Sequence, residues 1–137
     1  GGLLERMLLV SIGRDISHSE LADLNEHTEK YVSRLKLSGG IKLSLCKSDW
    51  EPFLKWLMDN DVRLLDIPKV AGRIFIEVEG LFSMEDRVEL QAYLEERVPL
   101  YYIGNYIDTT RSGLDVPQSK EAKARSWLLK HGHTILD

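Results

Sequence analysis

The chain has 137 residues, a net charge of −4, 43% hydrophobic residues and 29% charged residues. This length suits a single core, so we predict one domain over residues 1–137, with residues 1–6 as a flexible lead or a remnant ahead of Met7. The composition excludes a disordered chain, and the acidic balance disfavours nucleic acid, which requires many basic contacts to phosphate.

A single cysteine, Cys46, excludes an internal disulfide and favours a reducing compartment. No apolar run approaches the ~20 residues that span a bilayer, and the first six residues lack the form of a signal peptide. We therefore predict a cytoplasmic protein that makes no membrane contact.

The first predicted unit is a strand over Leu8–Ile12 followed by a helix from Ser19 to Leu37. The helix begins at Ser17-His18-Ser19-Glu20, a capping box in which the serine hydroxyl and the glutamate satisfy backbone N–H groups at the helix start. Apolar residues spaced three and four apart form its buried stripe, and Gly39-Gly40 ends it.

A second unit comprises a strand over Ile41–Cys46 and a helix over Asp49–Asn60 that starts at Ser48-Asp49-Trp50-Glu51. The residues at 62–67 fit an edge strand or a packed loop, because Pro68 follows.

The third unit has a strand over Arg73–Glu79 and a helix from Met84 to Arg97, capped by Ser83. A fourth strand is predicted over Leu100–Ile107, then a polar loop over Asp108–Gln118. The last helix runs from Lys120 to Lys130, with Ser119 as its cap.

Alternating strands and helices predict an α/β fold with four strands, four helices and a mainly parallel three-layer sheet. The alternative is a ferredoxin-like α+β sandwich with an extra C-terminal helix. The strand starts at Leu8, Ile41 and Ile74 are evenly spaced, but the units share almost no residues. We interpret that spacing as the common length of a strand–helix unit.

In a parallel sheet, residues that follow the strands meet at one edge, where open α/β folds bind ligands. Carboxylates at that edge are candidate catalytic residues and Mg²⁺ ligands, and the polar and cationic residues beside them are candidate ligand-binding residues. The candidate carboxylates are Asp15, Asp49, Glu79 and Asp108, and the ligand-binding candidates are Arg14, Ser48, Thr109, Thr110 and Arg111.

Helix capping explains Asp15, Ser48 and Asp49 equally well, and we favour that structural explanation. The chain contains no phosphate-binding loop, dinucleotide fingerprint or nucleophile elbow. The four histidines lack a third ligand of defined spacing, so no metal site is predicted.

Tyr101, Tyr102 and Tyr106 make the fourth strand rich in a residue type enriched at protein interfaces. The favoured hypothesis is therefore a small intracellular interaction or regulatory module without catalysis or cofactor of its own. Its partner would be another protein or its own copy. The alternative is an Mg²⁺-dependent phosphoryl-transfer or nucleotide-binding enzyme that uses the strand-end carboxylates.

Overall fold

A computed structural model describes residues 7–66, 69–104 and 111–136. Among these residues, no helix is long and apolar enough to cross a membrane. The elements are, in chain order, β1 (Met7–Ile12), α1 (His18–His27), β2 (Ser33–Leu37), β3 (Gly40–Cys46), α2 (Trp50–Asp59), β4 (Arg73–Glu79), α3 (Met84–Leu94), β5 (Leu100–Ile103), β6 (Arg111–Pro117) and α4 (Glu121–Lys130).

The strands form two antiparallel three-stranded sheets, with orders β1-β3-β2 and β4-β6-β5. The prediction of a mainly parallel three-layer α/β sheet is wrong, and the fold is mixed α+β. The first cause lies in the predicted helix over 19–37, because α1 ends at His27 with Thr28 in an extended conformation. Residues 33–37 then form β2, which turns through Ser38 and Gly39 into β3 as a hairpin.

The second cause is the predicted polar loop over 108–118, most of which forms β6. This strand is central in its sheet, with Leu114 and Val116 buried under helices. Gly113 and Asp115 alternate with these two residues along the strand and hide the strand pattern in the sequence. The predicted fourth strand is shorter than expected, since β5 ends at Ile103, and residues 105–110 lie outside the described ranges.

The two halves of the chain, residues 7–66 and 73–136, have the same topology. Both follow the order strand, helix, strand, strand, helix, and the third strand lies between the other two. The registers also agree: Leu43 on β3 faces Val10 and Arg34, while Leu114 on β6 faces Ile76 and Leu100. The fold is therefore an internal structural duplication.

Local contacts repeat as well. Ser17 accepts a hydrogen bond from Glu20 N and completes a capping box, and Ser83 accepts one from Asp86 N. Two further pairs match: Val32 N donates to Asn25 Oδ1 at 2.6 Å, and Val98 N donates to Gln91 Oε1 at 2.8 Å. Positive φ angles follow α2 and α4 at Asp61 (52°) and Gly132 (81°).

Each half ends in a segment that pairs with its first strand through a single residue. Leu64 bridges Ile12, and Ile135 bridges Val78, both antiparallel. Each half thus has the βαββαβ element order and the strand order of the ferredoxin-like unit, with the fourth strand reduced to one bridge. The alternative predicted from the sequence shares this order of elements with each half. Leu8 and Ile74 are equivalent residues of the two halves, so the even spacing of strand starts is not the repeat period.

The halves meet at a contact that we call the joint, where Leu64 also forms a parallel bridge with Ile103. Leu64 N donates to Tyr102 O at 3.0 Å, and Gly104 N donates to Leu64 O at 2.8 Å. These bonds align the two sheets edge to edge.

Two hydrophobic cores follow from this arrangement. One lies between the first sheet and α1 and α2, and it also takes in Tyr101 and Ile103 from the second sheet. The other lies between the second sheet and α3 and α4, and it uses Leu100 and Tyr102, which alternate with the previous pair along β5. The helix pairs of the two halves therefore cover opposite faces of the joined sheets.

Candidate functional site

Two of the predicted carboxylates, Asp15 and Asp49, do not share an edge of the sheet. Because β1 and β3 are antiparallel, Asp15 and Asp49 follow them at opposite ends of the first sheet. Asp15 Oδ1 accepts from Ile16 N at 2.8 Å and from Arg34 Nη1 at 3.1 Å. Asp49 is buried and accepts from the backbone of Glu29 and Lys30, at 2.9 Å each, so it holds the connection between α1 and β2.

Glu79 is exposed at the end of β4, and Asp108, Thr109 and Thr110 lie outside the described residues. Within residues 7–66, 69–104 and 111–136, no three His, Cys, Asp or Glu side chains are arranged to hold a metal. The described part of the chain thus gives the Mg²⁺ hypothesis no support.

The candidate ligand-binding side chains also have partners within the chain. Arg14 Nη2 donates to Glu20 Oε2 at 3.0 Å and to Asn60 O at 2.8 Å. Arg111 Nη1 donates to Glu77 Oε2 at 3.0 Å. The Ser48 hydroxyl donates to the Cys46 sulfur at 3.2 Å and makes no cap, since the N-cap residue of α2 is Asp49, which forms no side-chain cap bond.

A cleft of about 370 Å³ between α2 and the C-terminal side of α3 contains three cations. Each of them has a partner: Arg97 pairs with Glu51, Lys55 pairs with Asp59 at 2.9 Å, and Arg87 donates to Val98 O at 2.7 Å. Carboxylates thus compensate the charges of Arg97 and Lys55, whereas Arg87 is hydrogen-bonded to a neutral carbonyl oxygen.

The predicted interface tyrosines occupy different environments. Tyr101 is 1% exposed and packs against Trp50 and Phe75, with ring centroids 6.5 Å and 6.0 Å away. Tyr102 is half-buried beside the second core, and Tyr106 lies outside the described residues. Tyr101 thus forms an interface within the chain, at the joint between its halves.

The joint has a buried polar centre at Asp115, which is 1% exposed. Trp50 Nε1 donates to Asp115 Oδ2 at 2.9 Å, and Arg73 Nε donates to Asp115 Oδ1 at 2.7 Å. Burial raises the pKa of Asp115, although the bonds from Arg73 and Trp50 oppose this shift. Burial also raises the pKa of Tyr101, and Asp115 adds to that effect.

The stability of the protein is expected to depend on the titration of Asp115. Because its pKa is raised above the ordinary 3.8, the folded chain binds more protons than the unfolded chain from about that pH up to the folded-state pKa. The contribution of Asp115 to the free energy of unfolding is therefore greatest below pH 3.8 and falls as the pH rises through the folded-state pKa. Urea denaturation at a series of pH values checks this, with Asp115→Asn as the non-titrating control. A wild-type minus variant difference that is flat across this interval contradicts it.

The first sheet has an exposed face that corresponds to the buried side of the joint. Leu9, Leu35 and Leu37 are 50%, 38% and 49% exposed on this face. By register, their equivalents in the second half are Phe75, Tyr101 and Ile103, which Trp50 and the first core cover. We call this surface, completed by Lys42 and Ser44, the open face.

No protein-family model, curated protein or solved structure matches this chain. The candidate site is therefore assigned from its geometry. The duplication supplies an internal comparison, since the second half shows what covers an equivalent face.

The open face is not evident from the sequence, because the apolar spacing before Gly39 predicts a helix over residues 33–37. One signal was present: Lys55-Trp56-Leu57 and Ser126-Trp127-Leu128 occupy equivalent places in α2 and α4. Comparing the chain with itself from these two tryptophans finds the duplication.

Proposed function

We propose that the protein is a small protein-interaction module without catalysis of its own, and that the open face is its binding surface. The observation that carries this proposal is the difference between two equivalent surfaces. In the second half, the face is buried by α2. In the first half, the same face exposes Leu9, Leu35 and Leu37 to solvent. We expect it to act in the cytoplasm, as the single cysteine suggested, with a protein partner and no nucleic acid.

The edge of the first sheet adds to the proposal. Within the described residues, β2 pairs only with β3, so its other side is an open edge beside the open face. A partner strand that adds to such an edge gains backbone hydrogen bonds, and side chains on the adjacent face give specificity. The joint combines the same two kinds of contact. Leu64 pairs with Ile103 of β5, and Trp50 at the start of α2 bonds Asp115 on the adjacent face of the second sheet.

The energy available from the face is moderate. Full burial of a leucine side chain contributes roughly 1.5–3 kcal/mol, and these three leucines already bury about half of theirs. The remaining area therefore supplies a few kcal/mol, which suits a reversible contact.

A photo-cross-linking residue placed at Leu35 tests the proposal, with Val88 as the matched control. Val88 is an exposed residue on α3, away from the open face. We expect cross-linked protein adducts from position 35, in the purified protein and in cell extract, and none above background from position 88. Adducts at equal yield from both positions, or none from position 35, contradict the proposal.

The same surface should have only a small role in folding. Substituting Leu9, Leu35 and Leu37 by serine should lower the free energy of unfolding of the monomer by only about 1 kcal/mol each, because about half of each leucine side chain is already exposed. In the protein that carries the cross-linking residue at position 35, Leu9→Ser and Leu37→Ser together should abolish the adducts. Severe destabilisation in urea denaturation would assign the face a structural role instead.

A further inference from the structure

We propose that the partner of the open face is a second copy of this chain, which docks head to tail through its C-terminal half. This inference rests on the proposed function and specifies which protein binds the open face. The joint shows how two such halves fit together, and the two surfaces left over are the equivalents of the two that form it.

The two sheet edges outside the joint are equivalent to the two edges that form it. At the joint, Leu64 of the first half pairs with Ile103 of the second. Their equivalents are Ile135 and Leu37, as the matched bridges and registers show. Ile135 lies at the outer edge of the second sheet and Leu37 at the outer edge of the first, so these two residues meet only between molecules.

The backbone groups needed for this pairing point outward. Leu65 N donates to Ser11 O as Leu136 N donates to Glu77 O, each at 2.9 Å. These bonds use the inner side of each short segment. The outer side of the first segment carries the two bonds of Leu64 to β5. The N–H and C=O of Ile135 are the corresponding outward groups of the second segment, and Lys36 O and Ser38 N are their equivalent partners on a second copy.

Side-chain chemistry supports the same pairing. In the joint, Trp50 makes an edge contact with the aromatic ring of Tyr101, which itself occupies the space above Gly113. The residue equivalent to Trp50 at the start of α4 is Glu121, and the residue equivalent to Gly113 on the open face is Lys42. Glu121 pairs with Arg125 within α4 at 2.9 Å, and docking places Lys42 of a second copy beside this carboxylate, with the exposed leucines of the open face around it.

The resulting contact is heterologous, because one copy contributes its β2 edge and open face while the other contributes the 134–136 segment and α4. Repetition of such a contact gives a closed ring or an open chain of molecules. Both forms depend on two distinct surfaces, and this dependence makes the proposal testable by mixing.

Sedimentation of the purified full chain should show a mass that rises with concentration above the 15.7 kDa of one chain. Leu37→Lys on the open face and Glu121→Lys on α4 should each hold the protein at the monomer mass, whereas Val88→Lys should associate like wild type. An equimolar mixture of the two monomeric variants should form dimers and nothing larger. The open face of the Glu121→Lys variant and α4 of the Leu37→Lys variant are then the one pair of contact surfaces left intact. Circular dichroism confirms that each variant is folded, and Glu121→Gln serves if Glu121→Lys is not.

The other outcomes overturn the inference in distinguishable ways. If Leu37→Lys abolishes association while Glu121→Lys does not, the contact joins two open faces and is not head to tail. If the wild type stays monomeric at every concentration and position 35 cross-links a different protein, the interaction function stands but self-docking fails. If it stays monomeric and position 35 cross-links nothing, both proposals fail.

Discussion

Replacing Trp50 by alanine is expected to lower the free energy of unfolding by about 3–5 kcal/mol, the usual cost of deleting a buried tryptophan. The side chain is 6% exposed and contacts Phe53 in its own half and Phe75 in the other. Its removal also leaves an oxygen of the buried Asp115 without its Trp50 donor. The loss of the aromatic contacts and the loss of the bond to Asp115 both weaken the joint.

Urea denaturation measures the effect, and Tyr93→Ala is the matched control because this aromatic side chain on α3 is 48% exposed. Amide hydrogen exchange locates the effect, since loss of the joint should reduce protection at Leu64 N and Gly104 N, which form its backbone bonds. A cost below about 1 kcal/mol, or unchanged protection at those two amides, would show that Trp50 does not hold the halves together.

The second large effect is expected from Gly113→Ala. A Cβ atom on Gly113 would lie 2.6 Å from the Tyr101 hydroxyl oxygen and would overlap its ring. The ring is buried between the two halves, so it has little space into which to move. Overpacking of this kind costs about 1–3 kcal/mol or more.

A double-mutant cycle with Tyr101→Ala assigns the cause. Gly113→Ala should cost much less when the tyrosine ring is absent, with a coupling energy of about 0.5–3 kcal/mol between the two positions. Gly39→Ala is the control, because nothing lies within 4 Å of a Cβ there. Equal costs of Gly113→Ala with and without the ring would contradict the steric explanation.

Local signals in the sequence predicted the elements that depend on local chemistry. The strand predicted over 73–79 is β4, and the predicted helices after Ser83 and Ser119 correspond to α3 and α4. Ser17 and Ser83 accept the predicted backbone bonds, while Ser48 and Ser119 do not. The difference arises because 3₁₀ turns separate β3 from α2 and β6 from α4, and these turns place the helix starts after the serines.

Pairing of distant segments could not be predicted in this way. The apolar stripe assigned to the first helix continues by coincidence through Tyr31 and Leu35, and only the β2–β3 hairpin shows that the helix stops earlier. That hairpin also reverses the strand direction. The predicted convergence of the carboxylates depended on parallel strands, so it failed for Asp15 and Asp49 with the same error.

The contacts that form the joint connect residues that are far apart in the sequence. Trp50 and Asp115 lie far apart in the chain, and no sequence motif links them. Asp115 interrupts an apolar strand, a pattern that by itself indicates a loop. The duplication reverses this interpretation. Asp115 is equivalent by register to Ser44, which lies in β3, so Asp115 is also expected in a strand.

The Leu64–Ile103 bridge also bears on the order of folding. Every strand pair within a sheet lies inside one half, whereas the Leu64–Ile103 bridge and the Trp50–Asp115 bond connect the halves. The Trp50–Asp115 bond closes a longer loop than any strand pair within a half, and the entropy of loop closure rises with loop length. During synthesis the first half emerges before Ile103, so the sheet edge at Leu64 stays unpaired until the second half arrives. The joint therefore closes only once both halves are present.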